Sequence, residues 1–309
     1  MRYGVREICN VFVKAKVNGQ KVGNKTYKAG QPVCHFDSLK TSTVEGAATT
    51  VYATGGRGNP RLMSWDGERT LTFTMEDALI SEVGIALLTG AGLIDASASK
   101  PLYQHITLTG SVSTDGKTIT LNDADEVTNM FMDKDVSDYP VYLASLDSEG
   151  SVTGDFVKVE GTYSAGKITV TKFTDSNDKE VTTIKDCICL VDCYQKKESG
   201  LSQIDIEPGK FGGNYYFEAE TLFRTGDGSD VAAEFIIPNG KIQSNFTFSM
   251  ASSGDPSTFT FTVDAFPGVT KSDPTKKVLA CIQMATSTAS NAAVNYPNNT
   301  PSYDVVEGE

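Results

Sequence analysis

The chain has 309 residues, and its 27 basic against 39 acidic side chains leave a formal net charge of -12, a balance that opposes gripping a phosphate backbone. A 39% hydrophobic content with 28 glycines is that of a β-rich globular protein, neither disordered nor fibrous, and the length admits one large domain or two smaller ones. No apolar run approaches the roughly 20 residues of a bilayer span and no secretory signal is visible, so the sequence predicts no membrane insertion and assembly in a cytoplasm.

From the N-terminus, Ile8 to Val17 reads as a strand, Asn18-Gly19 as a turn and Gln20 to Tyr27 as the returning strand of a hairpin. Val33 to Phe36 and Leu39 to Val44 read as an extended connection, which Thr49 to Ala53 carries into the glycine-rich loop Gly55-Gly56-Arg57-Gly58-Asn59-Pro60. Thr70 to Met75 alternates threonine with Leu71, Phe73 and Met75, the period of a half-buried strand. The period then changes. Thr74 with Asp77 matches a helix start, Leu79, Val83, Ala86 and Leu87 form one apolar stripe, and Gly90 and Gly92 end it, which predicts a helix over Glu76 to Leu88.

Ser97-Ala98-Ser99-Lys100-Pro101 marks a boundary, and the segment beyond it is all strand and turn: Ile106 to Leu108, Thr118 to Leu121, Val141 to Ala144, Phe156 to Val159, Lys167 to Val170 and Ile184 to Val191. Its acidic stretches, among them Asp123, Asp125 and Glu126, read as solvated loops, since calcium-loop spacing is absent. The expected organisation is a discontinuous β-domain of residues 1–100 and 204–285, an inserted β-domain of residues 101–203, and an extended or flexible arm of residues 286–309, whose Ser/Thr/Asn/Pro/Ala composition cannot build a core.

After the insertion, Tyr215, Phe217, Ala219, Thr221 and Phe223 alternate with Tyr216, Glu218, Glu220, Leu222 and Arg224. A second amphipathic pair follows. Ile242, Phe246, Phe248 and Met250 alternate with Gln243, Asn245, Thr247 and Ser249, and across a turn Phe259, Phe261 and Val263 alternate with Thr258, Thr260, Thr262 and Asp264. The phenylalanine face needs a lid, which predicts a helix-sheet core of Leu79, Val83, Leu87, Phe246, Phe248, Phe259 and Phe261. The other face is wet and nearly uncharged.

Two blocks carry a resemblance: Ala53 to Leu62 with Ser64-Trp65-Asp66-Gly67-Glu68-Arg69-Thr70, Glu76 to Ile80 and Gly90 to Leu93, and then Gly213 to Arg224 with Phe235 to Ile242. They resemble the tail tube proteins of contractile-tailed bacteriophages. The resemblance implies a mainly β protein, an antiparallel β-sandwich or barrel with one packed helix, to which this chain adds an inserted all-β domain. It implies a virion tail subunit, assembled in the host bacterial cytoplasm, that self-associates into stacked hexameric rings inside a sheath protein, with the tape measure protein and passing DNA in the lumen without specific binding. In such rings hairpins pool into a barrel, so Gln243, Asn245, Thr247, Thr258, Thr260, Thr262 and Asp264 are expected to face the lumen. A baseplate or tail-terminator adaptor, or a glycan-binding tail component, is the alternative.

Catalytic constellations are thin. His35 and His105, the two histidines, lie in no hydrolase or metalloprotease signature. Glu218 and Glu220 share a strand face and have the chemistry of a wall-degrading carboxylate pair, but with Arg224 at the same parity they read as cross-strand ion pairs or an interface, so no enzyme is expected. Of the six cysteines, Cys187, Cys189 and Cys193 share one strand face; they read as small buried hydrophobes, with zinc binding or pairing as the alternatives. Neither a cofactor motif nor a common metal-ligand spacing is present, so no cofactor and no metal are expected.

Overall fold

The computed structural model describes residues 2–5, 7–122, 140–247 and 258–285. Of the described residues, strand accounts for 61% and helix for 3%, a mainly β fold with one helix among them. The chain forms two compact units, Met1–Leu93 with Ile204–Glu309, and Ile94–Gln203.

The first unit begins with β1 (Tyr3–Val5), β2 (Asn10–Ala15), β3 (Gln20–Val22), β4 (Lys25–Tyr27) and β5 (Pro32–Phe36). The expected hairpin between Ile8 to Val17 and Gln20 to Tyr27 is not the one formed. β3 pairs with β4 across Gly23-Asn24, and β2 pairs instead with β5. Burial decides this: Val11, Val13 and Ala15 reach the core only from within the main sheet.

Next come β6 (Leu39–Thr54), β7 (Arg61–Asp77), α1 (Glu82–Thr89) and β8 (Leu93–Asp95). What the sequence suggests to be a connection and a six-residue strand is one hairpin of 16- and 17-residue strands with the glycine-rich loop at its tip. The helix starts later than its pattern suggests. Thr74, Met75, Glu76 and Asp77 are held in β7 by ladders on both sides, so strand pairing outcompetes the cap at Thr74. Ser81 caps instead, its Oγ accepting from the Gly84 N–H at 3.0 Å, and Gly90 ends the helix at φ 68°. Leu79 therefore lies before the helix and is 69% exposed, which removes it from the predicted core.

The second unit contains β9 (Leu102–Val112), β10 (Thr118–Leu121), β11 (Val141–Leu146), β12 (Val152–Ser164), β13 (Lys167–Thr174) and β14 (Cys187–Lys197), together with most of β8 and of β15 (Ser202–Ile204), which pair with each other. The six long strands close into a barrel in the order β10-β13-β12-β11-β14-β9. Ile119, Leu143, Ile168, Cys189, Val191 and Cys193 fill it. At the register shift between β12 and β13, a Cβ on Gly161 would lie 2.2 Å from the Thr169 carbonyl oxygen, so the wall passes there only with glycine. Cys189 and Cys193 behave as small apolar side chains, and burial pushes both thiols up to about 12. Among the described residues no group of three or more His, Cys, Asp or Glu is placed to hold a metal ion.

The chain returns to the first unit with β16 (Asn214–Thr225), β17 (Asp230–Ile242), β18 (Phe259–Ala265), β19 (Gly268–Val269), β20 (Lys277–Val278) and β21 (Cys281–Met284). The large sheet runs β5-β2-β16-β17-β18-β7-β6, with β1 added on β16 and β21 on β17. Its core joins Val11, Phe36, Phe73, Met75, Phe217, Ile242, Phe261 and Val263 to Leu87 and Leu88 of α1. The rings of Phe36 and Phe261 lie 4.9 Å apart, and Gly84 of the helix sits over both. Val83, Phe246 and Phe259 pack partly buried on this core, whereas Phe248 lies outside the described residues, as does the expected arm of residues 286–309.

Candidate assembly surface

The polar face of the sheet is built by alternation. Because Phe261 and Val263 point into the core, Thr260, Thr262 and Asp264 of β18 point the other way, directly opposite Glu76, Thr74 and Thr72 of β7. Those three in turn stand opposite Thr41, Thr43 and Glu45 of β6. Three strands thus present rows of hydroxyls and carboxylates with few apolar interruptions. Lys241 of β17 stands opposite Asp264, whose two carboxylate oxygens each accept from the Gln243 amide at 3.0 Å.

The expected lumen residues divide across this surface. Thr260, Thr262 and Asp264 occupy the ladder, and Gln243 joins it by donating its backbone N–H to the Thr262 carbonyl at 2.8 Å. Asn245 and Thr247 are not on a strand, since β17 ends at Ile242; with Phe246, Thr260 and Thr262 they line a cavity of about 170 Å3. Thr258 lies just before β18. Sequence reasoning missed Thr41, Thr43, Glu45, Thr70, Thr72, Thr74 and Glu76 as members of the same wall. The alternating threonines of Thr70 to Thr74 are the available signal, but only the register with β18 sets Thr74 opposite Thr262 and Thr72 opposite Asp264.

Beyond Glu45 and Thr72 the β6–β7 hairpin leaves the core. Nearly every residue from Thr43 to Thr70 is exposed, and at about 3.3 Å per residue the stretch from Thr43 to Thr54 is about 40 Å long. A register shift between Ala48 and Thr50 lies within it. Toward the tip, Val51 stands opposite Trp65 and Ala53 opposite Met63, with Val51, Met63 and Trp65 all more than half exposed. The Arg61 guanidinium lies 4.0 Å from the Tyr52 ring centre.

β6 is also an edge. Among the described residues its one neighbour is β7. Soluble proteins guard a long edge with lysine, proline or a cover, yet from Thr41 to Thr54 the strand holds no proline, no lysine or arginine, and Glu45 as its single charge.

Of the two carboxylates on one face of β16, Glu218 is engaged in ion pairs and, among the described residues, Glu220 is not. Glu218 accepts from Lys14 and from Lys271, the latter at 3.1 Å; burial opposes its charge, but the two ammonium groups prevail and hold its pKa below the ordinary value. A carboxylate so held is a poor general acid. Arg224 forms a bidentate pair with Asp230 at 2.7 and 2.8 Å. Glu220 stands opposite Glu234, whose pKa is raised by burial and by Glu218 and Glu220.

The model of the YomU/Tube protein family matches residues 20–279 of the chain. A comparison with curated proteins found no match.

Proposed function

Since the chain belongs to the YomU/Tube protein family and is a phage tube-like structural component of the virion tail, we propose that it is the repeating subunit of a tail tube beneath a contractile sheath, polymerising with itself as stacked hexameric rings. The observation that carries this reading is the unguarded β6 edge bordering a continuous polar wall. An edge of that length is tolerated when another chain completes it, and closing the wall around a ring removes the edge altogether. The face turned inward is then Thr41, Thr43, Thr72, Thr74, Thr260 and Thr262 with the acids Glu45, Glu76 and Asp264, and Lys241 stands beside Asp264. Hydroxyls hydrate without holding phosphate, and the excess of acids repels it, which suits the passage of DNA. The role is structural and non-catalytic, with the sheath protein outside, the tape measure protein and DNA inside, and assembly in the host cytoplasm.

Negative-stain imaging of the purified protein should show open-ended hollow tubes, and a monomer or a single closed ring under all conditions would remove the reading. In assembled tails, Thr74→Lys and Thr262→Lys should slow DNA release at low salt and restore it at high salt, because each phosphate contact repeats around and along the tube. Ser176→Lys, in the second unit, should do neither. Normal release from both wall variants at both salt concentrations would take this face out of the channel. The second unit, which forms a complete barrel of its own, favours one other reading, a tail-terminator or baseplate adaptor, and single rings in the same images would support it.

A further inference from the structure

The outer surface of the second unit's barrel carries a side-chain cluster that the wall does not use. On β9 and β14 the outward side chains pair Tyr103 with Lys196, His105 with Tyr194 and Thr107 with Asp192. Asp192 also stands opposite Tyr142 of β11, and Tyr142 opposite Lys158 of β12. Three tyrosines and an imidazole thus share one outer face, with the Tyr142 side at 36% exposure and the His105 side chain at 54%. His105 Nε2 is hydrogen-bonded to Asp192 Oδ1, and the His105 and Tyr194 rings lie 5.3 Å apart. The barrel does not require these rings for its core, because on the same strands Leu143, Val191 and Cys193 already fill the interior.

We propose that this face binds a neutral oligosaccharide. A sugar ring offers C–H groups on its faces, which stack on aromatic rings, and hydroxyls around its rim, which seek carboxylate, imidazole and hydroxyl partners in the same plane. Asp192, His105 and Thr107 supply such partners, and Tyr142 and Tyr194 flank Asp192. On an antiparallel sheet the directly opposite position is about 5 Å away and the position two residues along about 7 Å, the scale of one sugar ring. Charge favours a neutral ligand. Lys158 and Lys196 offset Asp192 and Glu198, with Lys196 bridged to Glu198 at 2.9 Å, so the face is balanced on a chain of net charge -12. The balanced charge and the row of hydrogen-bonding groups around Asp192 favour a sugar over a protein partner, although Ile188 and Phe156 are exposed on neighbouring rows of the same outer face. The site is independent of the tube reading, and either can fail without the other.

The test uses the full-length protein on an array of neutral hexose and N-acetylhexosamine oligosaccharides, followed by calorimetric titration of the best binder. Binding is expected with a Kd on the order of 10 µM to 1 mM. Tyr142→Ala and Asp192→Asn should each weaken it at least about tenfold, while Tyr142→Phe, which keeps the ring face, should stay within about threefold. Both side chains lie outside the barrel, so the melting temperature should not move; if Asp192→Asn lowers it, Thr107→Val replaces that arm. The proposal is overturned if the unaltered protein binds no sugar on the array, if binding survives Tyr142→Ala, or if the face retains a virion protein in place of a sugar.

Discussion

The two units solve the same problem in opposite ways. Both are antiparallel sheets with one apolar face, but in the second unit each of the six long strands has two neighbours and the ladder closes on itself. In the first, among the described residues, the sheet stops at β5 on one side and at β6 on the other, and β6 is the longer by far. A closed barrel satisfies its backbone groups within one chain. An open sheet with a long, nearly uncharged edge defers that satisfaction to another chain. The comparison teaches that the same alternating pattern yields a self-sufficient unit or an assembling one according to what happens at the last strand.

The comparison breaks first at that strand. Ala47→Lys with Ala48→Lys places charges on both faces of the edge, and polymer should be lost entirely by sedimentation, while the melting temperature of the subunit stays within about 2 °C because both positions are exposed. Ser111→Lys on the closed barrel should leave polymer unchanged. Polymer surviving the double substitution would mean that β6 is not where chains join.

Core truncations come next. Phe261→Ala should cost about 3 to 5 kcal/mol and Leu143→Ala about 2 to 5 kcal/mol, each in its own unit, so calorimetry should show one transition moving and the other holding in each case. A single transition that shifts for both would show the units to be one cooperative block. Gly90→Ala should act like Phe261→Ala at about 2 kcal/mol or more. Its φ of 68° strains any other residue, and the added Cβ would lie 2.3 Å from the Phe211 backbone.

A smaller effect separates two carboxylates on the open sheet by pH. Glu218 has a folded pKa below its unfolded value near 4.5, so its contribution is complete above that value and is lost as pH falls through the folded pKa. Glu234 has a folded pKa above 4.5, so its penalty is absent below 4.5 and grows as pH rises through the folded pKa. Glu234→Gln should therefore stabilise by about 0.5 kcal/mol at pH 7, with the gain vanishing near pH 4, and Lys14→Met should destabilise at pH 7 and less so in acid. Equal melting differences at both pH values would mean that neither carboxylate is perturbed by its neighbours.

Alternation made the strands legible: Thr70 to Met75, Tyr215 to Phe223 and Phe259 to Val263 all lie in β-structure, with their apolar members directed inward. Caps were legible where nothing competed, as at Gly90, and misleading where a ladder did, as at Thr74. The length of β6 was hidden because alternation is visible only when one face is buried, and both faces are exposed from Thr43 outward. For the same reason the polar wall was half seen. Thr260 and Thr262 carry the signal beside buried Phe261, but their partners on β7 and β6 follow from register, a non-local property that no single stretch encodes.

The last prediction sharpens the comparison without altering the protein. Cys34 on the edge strand β5 has its thiol pushed up to about 11, and Cys189 and Cys193 inside the barrel are pushed up to about 12, in each case first by burial. At pH 8 all three are protonated and poorly reactive, so labelling requires local opening that both exposes the sulfur and restores an ordinary pKa. Cys34 lies on a strand that, among the described residues, pairs only with β2, and fraying of β5 from β2 suffices to release it. Cys189 and Cys193 lie on β14 between β9 and β11, and a barrel strand cannot leave without breaking two ladders. Native-state labelling followed by mass spectrometry should therefore modify Cys34 well before the barrel pair, and Cys189 and Cys193 should then react together. Labelling of Cys189 or Cys193 at the rate of Cys34 would show that closure gives the barrel no protection over the open edge, and the contrast between the two units would lose its physical basis.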